Sequence, residues 1–261
     1  MSQLARQQNS FGLACVVYGL WVLAGLVALA APPASAAPWP NFQAQFNVKV
    51  YGIHIGQVHQ AWSCQAQQCT LTTQAAPPQW AQAWINEKTH ERSTLHIQNQ
   101  TLVWQGHTQT LTRTHDDGRT QQTHRLVRQP EKDRVLYLEK NRAFALKPAL
   151  FDQNALAYAL AYLAQKHPQN PDFRWPTFWL QSKDKQRALA LIQKGVPKRL
   201  DLPFEAAAQT LYYKLQGDGI QIELWLHPKR RYFPVKIIIQ SDTNDRTVHL
   251  QLNKAPDYET Q

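Results

Sequence analysis

The run of residues 220–252, IQIELWLHPKRRYFPVKIIIQSDTNDRTVHLQL, restricts the folds open to this chain more than any other stretch. Ile220, Ile222, Leu224 and Leu226 alternate with Gln221, Glu223, Trp225 and His227. The alternation resumes at Phe233, Val235, Ile237 and Ile239, and again at Val248, Leu250 and Leu252. A strand sends successive side chains to opposite faces, so a period of two marks a sheet with one buried and one wetter face. His-Pro-Lys-Arg-Arg and Ser-Asp-Thr-Asn-Asp separate the runs with turn-forming residues. Three consecutive antiparallel strands are expected here.

The same period recurs upstream. Phe42, Ala44, Phe46, Val48 and Val50 alternate with polar residues as a first strand, and a Gly52–Gly56 bend leads into strands at 58–63 and 69–75. Pro77-Pro78 stops the sheet, and Trp80 and Trp84 then stand four apart, as on a helical turn that plugs the core edge or forms an aromatic lid. Strands follow at 92–99 and 101–114. Asp117-Gly118 reads as a two-residue hairpin turn, which would set Leu111 opposite His124 and His115 opposite Thr120. Residues 134–146 read as one strand. The helix expected at 152–167 has Asp152 as its cap and Leu156, Leu160 and Leu163 as one apolar stripe. Strands at 173–180 and 186–193 flank a Lys183-Asp184-Lys185 turn; Gly195 breaks the run, which continues at 198–204 and 206–216. The tail after Pro256 reads as frayed. Strands on both sides of one helix predict a mainly β chain, with a single strongly curved antiparallel sheet wrapped partway around the helix as a half-barrel or clam. A more closed barrel is the alternative.

The first forty residues pose a separate question. Arg6, an apolar run over 11–30, Pro32-Pro33 and Ala34-Ser35-Ala36 describe a secretory signal peptide cut after residue 36. An uncleaved inner-membrane anchor facing the periplasm is the competing reading, because the run is long enough to span a bilayer. Residues 37–261 then form one periplasmic β domain, and no second long apolar run suggests a membrane span within it. The leader carries one base and no acid, so the domain keeps nearly all of the formal charge of +10. A basic surface favours anionic partners, and export makes nucleic acid the least fitting of them. Cys64 and Cys69 flank Gln-Ala-Gln-Gln between two strand-like runs, in a compartment where thiols oxidise, and are expected to form a disulfide. A zinc site would need two further ligands, and only His59 is near in sequence.

With the helix and the C-terminal strands placed, the chain resembles a family of exported bacterial proteins catalogued as domain of unknown function 3108. Leu150-Phe151-Asp152-Gln153-Asn154-Ala155-Leu156 looks like that family's Tyr/Phe-Asp-x-x-Ser/Ala-Leu helix start. Phe178-Trp179-Leu180 through Leu191 looks like its next hairpin. Glu223-Leu224-Trp225-Leu226-His227-Pro228 with Phe233-Pro234-Val235-Lys236-Ile237 is similar to its Trp and Pro-Val-Lys/Arg-Ile signature. With the first strand and its bend, the resemblance covers most of the chain after the leader. It departs at Leu200-Asp201-Leu202-Pro203-Phe204, where the family commonly has Thr-x-x-Gly. The resemblance implies a periplasmic β-rich domain with no agreed activity, so it transfers no catalytic residue.

The residues themselves offer little chemistry. His90-Glu91 is not a metalloprotease motif, because Thr94 stands where the second His must be. There is no G-x-S-x-G and no glycine-rich phosphate loop. His107, His115 and His124 could share one face of a hairpin, a spacing that suits a metal but is far more often inert. Glu205 with Glu223, and Asp116 with Asp117, read as solvated residues. No metal and no cofactor are expected. Two basic clusters, Lys183/Lys185/Arg187 and Lys229-Arg230-Arg231, each sit at a turn and are candidates for holding anionic groups at the mouth of an apolar groove. Phe42, Phe46, Trp80, Trp84, Trp225 and Tyr232 are the candidate groove residues. The expected function is non-enzymatic binding of an amphipathic, anionic envelope component, a lipid or lipid-linked glycan. The alternatives are an envelope-assembly module that docks a protein partner along the polar strands of 101–128, and a hydrolase acting on an envelope glycan or lipid.

Overall fold

A computed structural model of the chain describes residues 39–77, 87–115, 118–168, 170, 172–242 and 246–259. The expected leader and the Trp80/Trp84 segment lie outside the described residues.

The chain begins with β1 (Phe42–Val50), β2 (Ile53–Gln65), β3 (Gln68–Ala76), β4 (Glu87–Gln98), β5 (Thr101–His115) and β6 (Gly118–Gln129). The short strands β7 (Arg134–Tyr137), β8 (Arg142–Ala145) and β9 (Leu150–Phe151) lead to α1 (Gln153–Lys166). After the helix come β10 (Phe178–Gln181), β11 (Gln186–Leu202), β12 (Glu205–Gly217), β13 (Ile220–His227), β14 (Phe233–Ser241), β15 (Arg246–Leu252) and β16 (Asp257–Tyr258). The protein is mainly β, with one large sheet of sixteen strands and one α-helix among the described residues.

Two meanders make up the sheet. One runs in order from β8 back to β1, the other from β15 back to β10, and the β1–β15 pair joins them. β9 lies beside β10 as the one parallel pair, and β8 and β9 are the two ends of the order, which do not pair, so the sheet is not closed. The alternation in residues 220–252 appears as β13, β14 and β15, paired in sequence. Pro234 sits beside the register shift between Trp225 and Leu226, where a missing backbone donor is tolerated.

Turn chemistry explains several joints and corrects several boundaries. Tyr51-Gly52, Asn99-Gln100 and Asp218-Gly219 all have positive φ at both positions, as tight hairpins require. The first of these starts β2 at Ile53, so Gly56 lies inside the strand, near the shift between Val48 and Lys49, rather than ending a bend. Gly195 likewise sits inside β11, with φ 63°, among register shifts on either side of Gln193; it bulges the strand instead of breaking it. The expected strand over 134–146 is split by a 3-10 turn at Leu138–Lys140, which ends at left-handed Asn141. In the β5–β6 hairpin, Leu111 faces Gln122, Gln109 faces His124 and His115 faces Gly118. The register differs from the expected one because Gly118 belongs to β6 and pairs with His115; residues 116–117 lie outside the described residues. The tail is not frayed at Asp257–Tyr258, which pairs with β1, and the Tyr258 ring packs on Phe42.

Asp152 caps α1, its Oδ1 accepting from Asn154 N at 2.9 Å and Ala155 N at 3.0 Å. Every residue from Ala155 to Tyr162 is buried. The helix is therefore covered nearly all round rather than along the single stripe its leucines suggest. It packs against β3, β5, β9, β10 and β14. Tyr158 projects into a ring cluster with Trp39, Phe42, Trp62 and Phe233, and its hydroxyl donates to buried Gln60 at 2.7 Å.

Candidate functional site

Two cavities lie beside α1, one along Ala159 and Leu163 and the other at the Asp152 cap, and one hydrogen bond joins their walls. Trp104 Nε1 of β5 donates to Asp152 Oδ2 at 2.7 Å. Trp104 lines the first cavity and Asp152 the second.

The first cavity, about 350 Å³, is apolar. Leu102 and Trp104 of β5, Leu150 and Phe151 of β9, Ala159 and Leu163 of α1, and Phe178 of β10 form much of its wall. Space remains there because α1 presents alanine, not a larger residue, at position 159. Arg128 and Lys147 add positive charge. Arg128 Nη1 donates to Trp104 O at 3.3 Å, while its Nε is buried without a hydrogen-bond partner. Burial lowers the pKa of this guanidinium, since desolvation penalises its charged form.

The second cavity, about 330 Å³, is polar, and its lining includes Glu91, His107, Gln109, His124, Asp152, Lys183, Asp184 and Arg187. His107 Nδ1 lies 3.5 Å from Asp152 Oδ2, and its Nε2 lies 3.8 Å from Glu91. Burial works against the imidazolium, but the Asp152 and Glu91 carboxylates together outweigh it and hold His107 above its ordinary value. Burial also opposes the Asp152 charge, yet His107 and the helix N–H groups keep that carboxyl below its ordinary value. Glu91 accepts from Gln109 Nε2 at 2.7 Å and from Asn154 Nδ2.

Ser93 Oγ stands 3.3 Å from His107 Nδ1, so a serine, a histidine and an aspartate meet here. The arrangement does not make a nucleophile. A relay needs the serine on one ring nitrogen and the carboxylate on the other. Here both address Nδ1, and Ser93 is 0 % exposed. Sequence reasoning treated Asp152 only as a cap and did not connect it with His107 or Ser93. No local signal joins them; the connection runs through the β4–β5 pairing of Ser93 with His107.

The sequence candidates are dispersed. Phe42 and Phe46 are core residues at 2 % and 0 % exposure and line neither cavity. Trp225 lies on the face of β13 opposite Leu224, packed on Tyr212 at 4.8 Å, with the Lys198 and Lys236 ammonium groups over its ring. Tyr232 follows the turn at Pro228–Arg230 and has φ 57°. Lys183 and Arg187 line the polar cavity, whereas Lys185 does not. Lys229, Arg230 and Arg231 lie at the other end of the antiparallel strands β11–β13, so the two basic clusters do not converge. Arg230 is already paired with Glu205 at 3.0 Å, and Glu205 also contacts His227. Glu223 accepts from Gln221 Nε2 at 2.7 Å. His107 and His124 share the polar cavity; the His115 side chain lies outside the described residues. Among the described residues, no group of three or more His, Cys, Asp or Glu side chains is placed to hold a metal ion. Cys64 and Cys69 face each other across β2 and β3 and form the expected disulfide, with Cα atoms 4.1 Å apart. Among the described residues, no helix is long and apolar enough to cross a membrane.

Among the described residues, fold and cavities together define a mainly β protein whose one large sheet and one α-helix share an apolar chamber beside a charged cleft. No family model matches the chain, and no curated protein matches it.

Proposed function

We propose that the protein binds an amphipathic, anionic envelope molecule, a lipid or lipid-linked glycan, without catalysing a reaction on it. The acyl part occupies the apolar cavity beside α1, and Arg128 meets the anionic group. The observation that carries this reading is the cavity itself, apolar over most of its wall, with a buried guanidinium Nε that has no partner. Its volume falls at the lower end of the roughly 300–1,000 Å³ typical of ligand sites. Each methylene taken into it contributes about 0.8 kcal/mol. An unpaired buried donor costs about 1–3 kcal/mol, which a carboxylate or phosphate oxygen relieves.

The reading includes a sheet strongly curved about α1, as a half-barrel or clam. A flat sheet in this strand order would hold β8 and β9 roughly 65 Å apart at about 4.8 Å per strand. Only residues 146–149 link them, a reach of about 18 Å. Gln186 Nε2 of β11 also donates to Ala145 O of β8 at 2.9 Å, and α1 packs against strands from both meanders. Export to the periplasm rests on the charged start, apolar run and Ala-Ser-Ala of residues 1–36 and on the likeness to the domain of unknown function 3108 family. Retention of that leader as an inner-membrane anchor is the alternative address.

One observation favours a second reading, docking of a protein partner's strand. β7 pairs only with residues 126–129 of β6, so residues 118–125 have β5 alone as a neighbouring strand.

Native mass spectrometry of the protein, gently extracted from its own host, tests the main proposal. An adduct of lipid mass is expected, and it should be weakened in Ala159→Leu, which puts a larger side chain into the cavity wall. Protein that is repeatedly lipid-free and takes up no fluorescent fatty acid overturns the proposal.

A further inference from the structure

The polar cavity adjoins a third, of about 660 Å³, lined in part by Tyr137, Lys140 and Arg142; the two share His124, Lys183 and Asp184 as lining residues. Their charges are unevenly spent. Asp152 is engaged by two helix N–H groups, Trp104 and His107. Glu91 is engaged by Gln109, Asn154 and His107. Asp184 is the carboxylate that remains, against Lys140, Arg142, Lys183 and Arg187. None of these four cations has an ion-pair partner among the described residues.

Two buried nitrogens at the same place lack hydrogen-bond partners, His124 Nε2 and Arg187 Nε. His124 is only 6 % exposed, and its other nitrogen is bound to the Tyr137 hydroxyl at 2.6 Å. The two orphaned nitrogens come from opposite parts of the sheet order, β6 and β11. Several cations and two donors converging from different directions suit a tetrahedral anion with several oxygens better than a flat carboxylate, which two parallel donors satisfy.

We propose that the joined clefts between β6–β8 and the β10–β11 turn bind a phosphate group, whether free or carried by a phosphorylated lipid headgroup, between Lys183, Arg187 and His124. This goes beyond the acyl-binding reading, because the site lies across the Trp104–Asp152 bond and needs no chain in the apolar cavity. Burial first, and then the Lys183 charge, hold His124 below its ordinary value, with Lys140 acting in the same sense and Glu139 and Asp184 opposing. A bound anion acts in the opposite sense and raises it, so His124 reports occupancy directly.

The test is an NMR titration of the histidine ring signals in the intact protein. One arm adds inorganic phosphate, with chloride at matched ionic strength as control. A second adds phosphatidic acid vesicles, with phosphatidylcholine vesicles as control. Saturable movement of the His124 signals with phosphate and a rise in its pKa are expected. Lys183→Gln/Arg187→Gln should weaken binding at least tenfold, whereas Ala159→Leu should bind as the native protein does. Response to phosphatidic acid alone also supports the site and assigns it to a headgroup. No His124 response to either anion, or a response that chloride or the double variant reproduces, overturns it. A lipid-free apolar cavity with a responsive His124 defeats only the earlier reading.

Discussion

Asp152 caps α1, orders the Trp104 indole and pairs with His107, and the charge on that pair makes part of the stability depend on pH. The His107 value is raised in the folded protein above the ordinary 6.5 of an unfolded histidine. Its contribution is therefore complete below that ordinary value and is lost as pH rises through the folded one. Asp152 has the opposite sign: its contribution is present above the ordinary 3.8 and is lost as pH falls through its lower folded value. His124 and His249 are both lowered by burial, so they weaken the fold as pH falls, which obscures His107 in a single stability curve. The difference between two curves isolates it. In urea unfolding, the stability gap between the native protein and His107→Gln should narrow as pH is raised from about 6 to about 9. A gap that stays constant would show that the imidazole acts there by shape alone.

At the scale of elements, α1 is governed by its small residues. Ala155, Ala161 and Ala164 are 0 % exposed, and strands from both meanders pack against this helix. Added volume there has nowhere to go, so Ala161→Leu should destabilise by about 1–3 kcal/mol. Ala159 is equally buried but borders the apolar chamber, so Ala159→Leu should cost much less. Thermal melts of the two variants check this, and equal losses would count against an open chamber. A similar closeness appears between β11 and β12, where a Cβ on Gly217 would stand 2.1 Å from Ala188 O. Only glycine lets those strands meet.

Over the whole molecule, strand pairs among the described residues are mostly neighbours in sequence; β1 pairs over long range with β15 and β16, and the β1–β15 pair joins the meanders. Residues 206 apart meet there, as in the Asn47–Asn253 bond. Closing so long a loop costs entropy before its contacts repay it, so this seam should form late in folding. Leu252 is 0 % exposed and faces Phe46 across the seam. Leu252→Ala should cost about 2–5 kcal/mol, expressed mainly as faster unfolding with little change in the folding rate. Stopped-flow chevron measurements distinguish this from a seam that nucleates the fold, in which case refolding would slow instead.

What could be read from the chain alone was what neighbouring residues decide. The three C-terminal strands, β1, the Asp152 cap and the Cys64–Cys69 hairpin follow from a period, a capping side chain and a short spacing, none of which needs distant partners. The β5–β6 register was not legible, because Asp116-Asp117-Gly118 allows more than one pair of loop residues and the flanking polar strands carry no strong pattern to choose between them. Nor was the pairing of β16 with β1, since two residues have no detectable period. The convergence of Ser93, His107 and Asp152, and the separation of the two basic clusters, were tertiary decisions. They depend on how many strands lie between two side chains and which way each one runs. The chamber beside Ala159 belongs to the same class: its emptiness depends on residues from β5, β9, α1 and β10 that meet only once the sheet has formed.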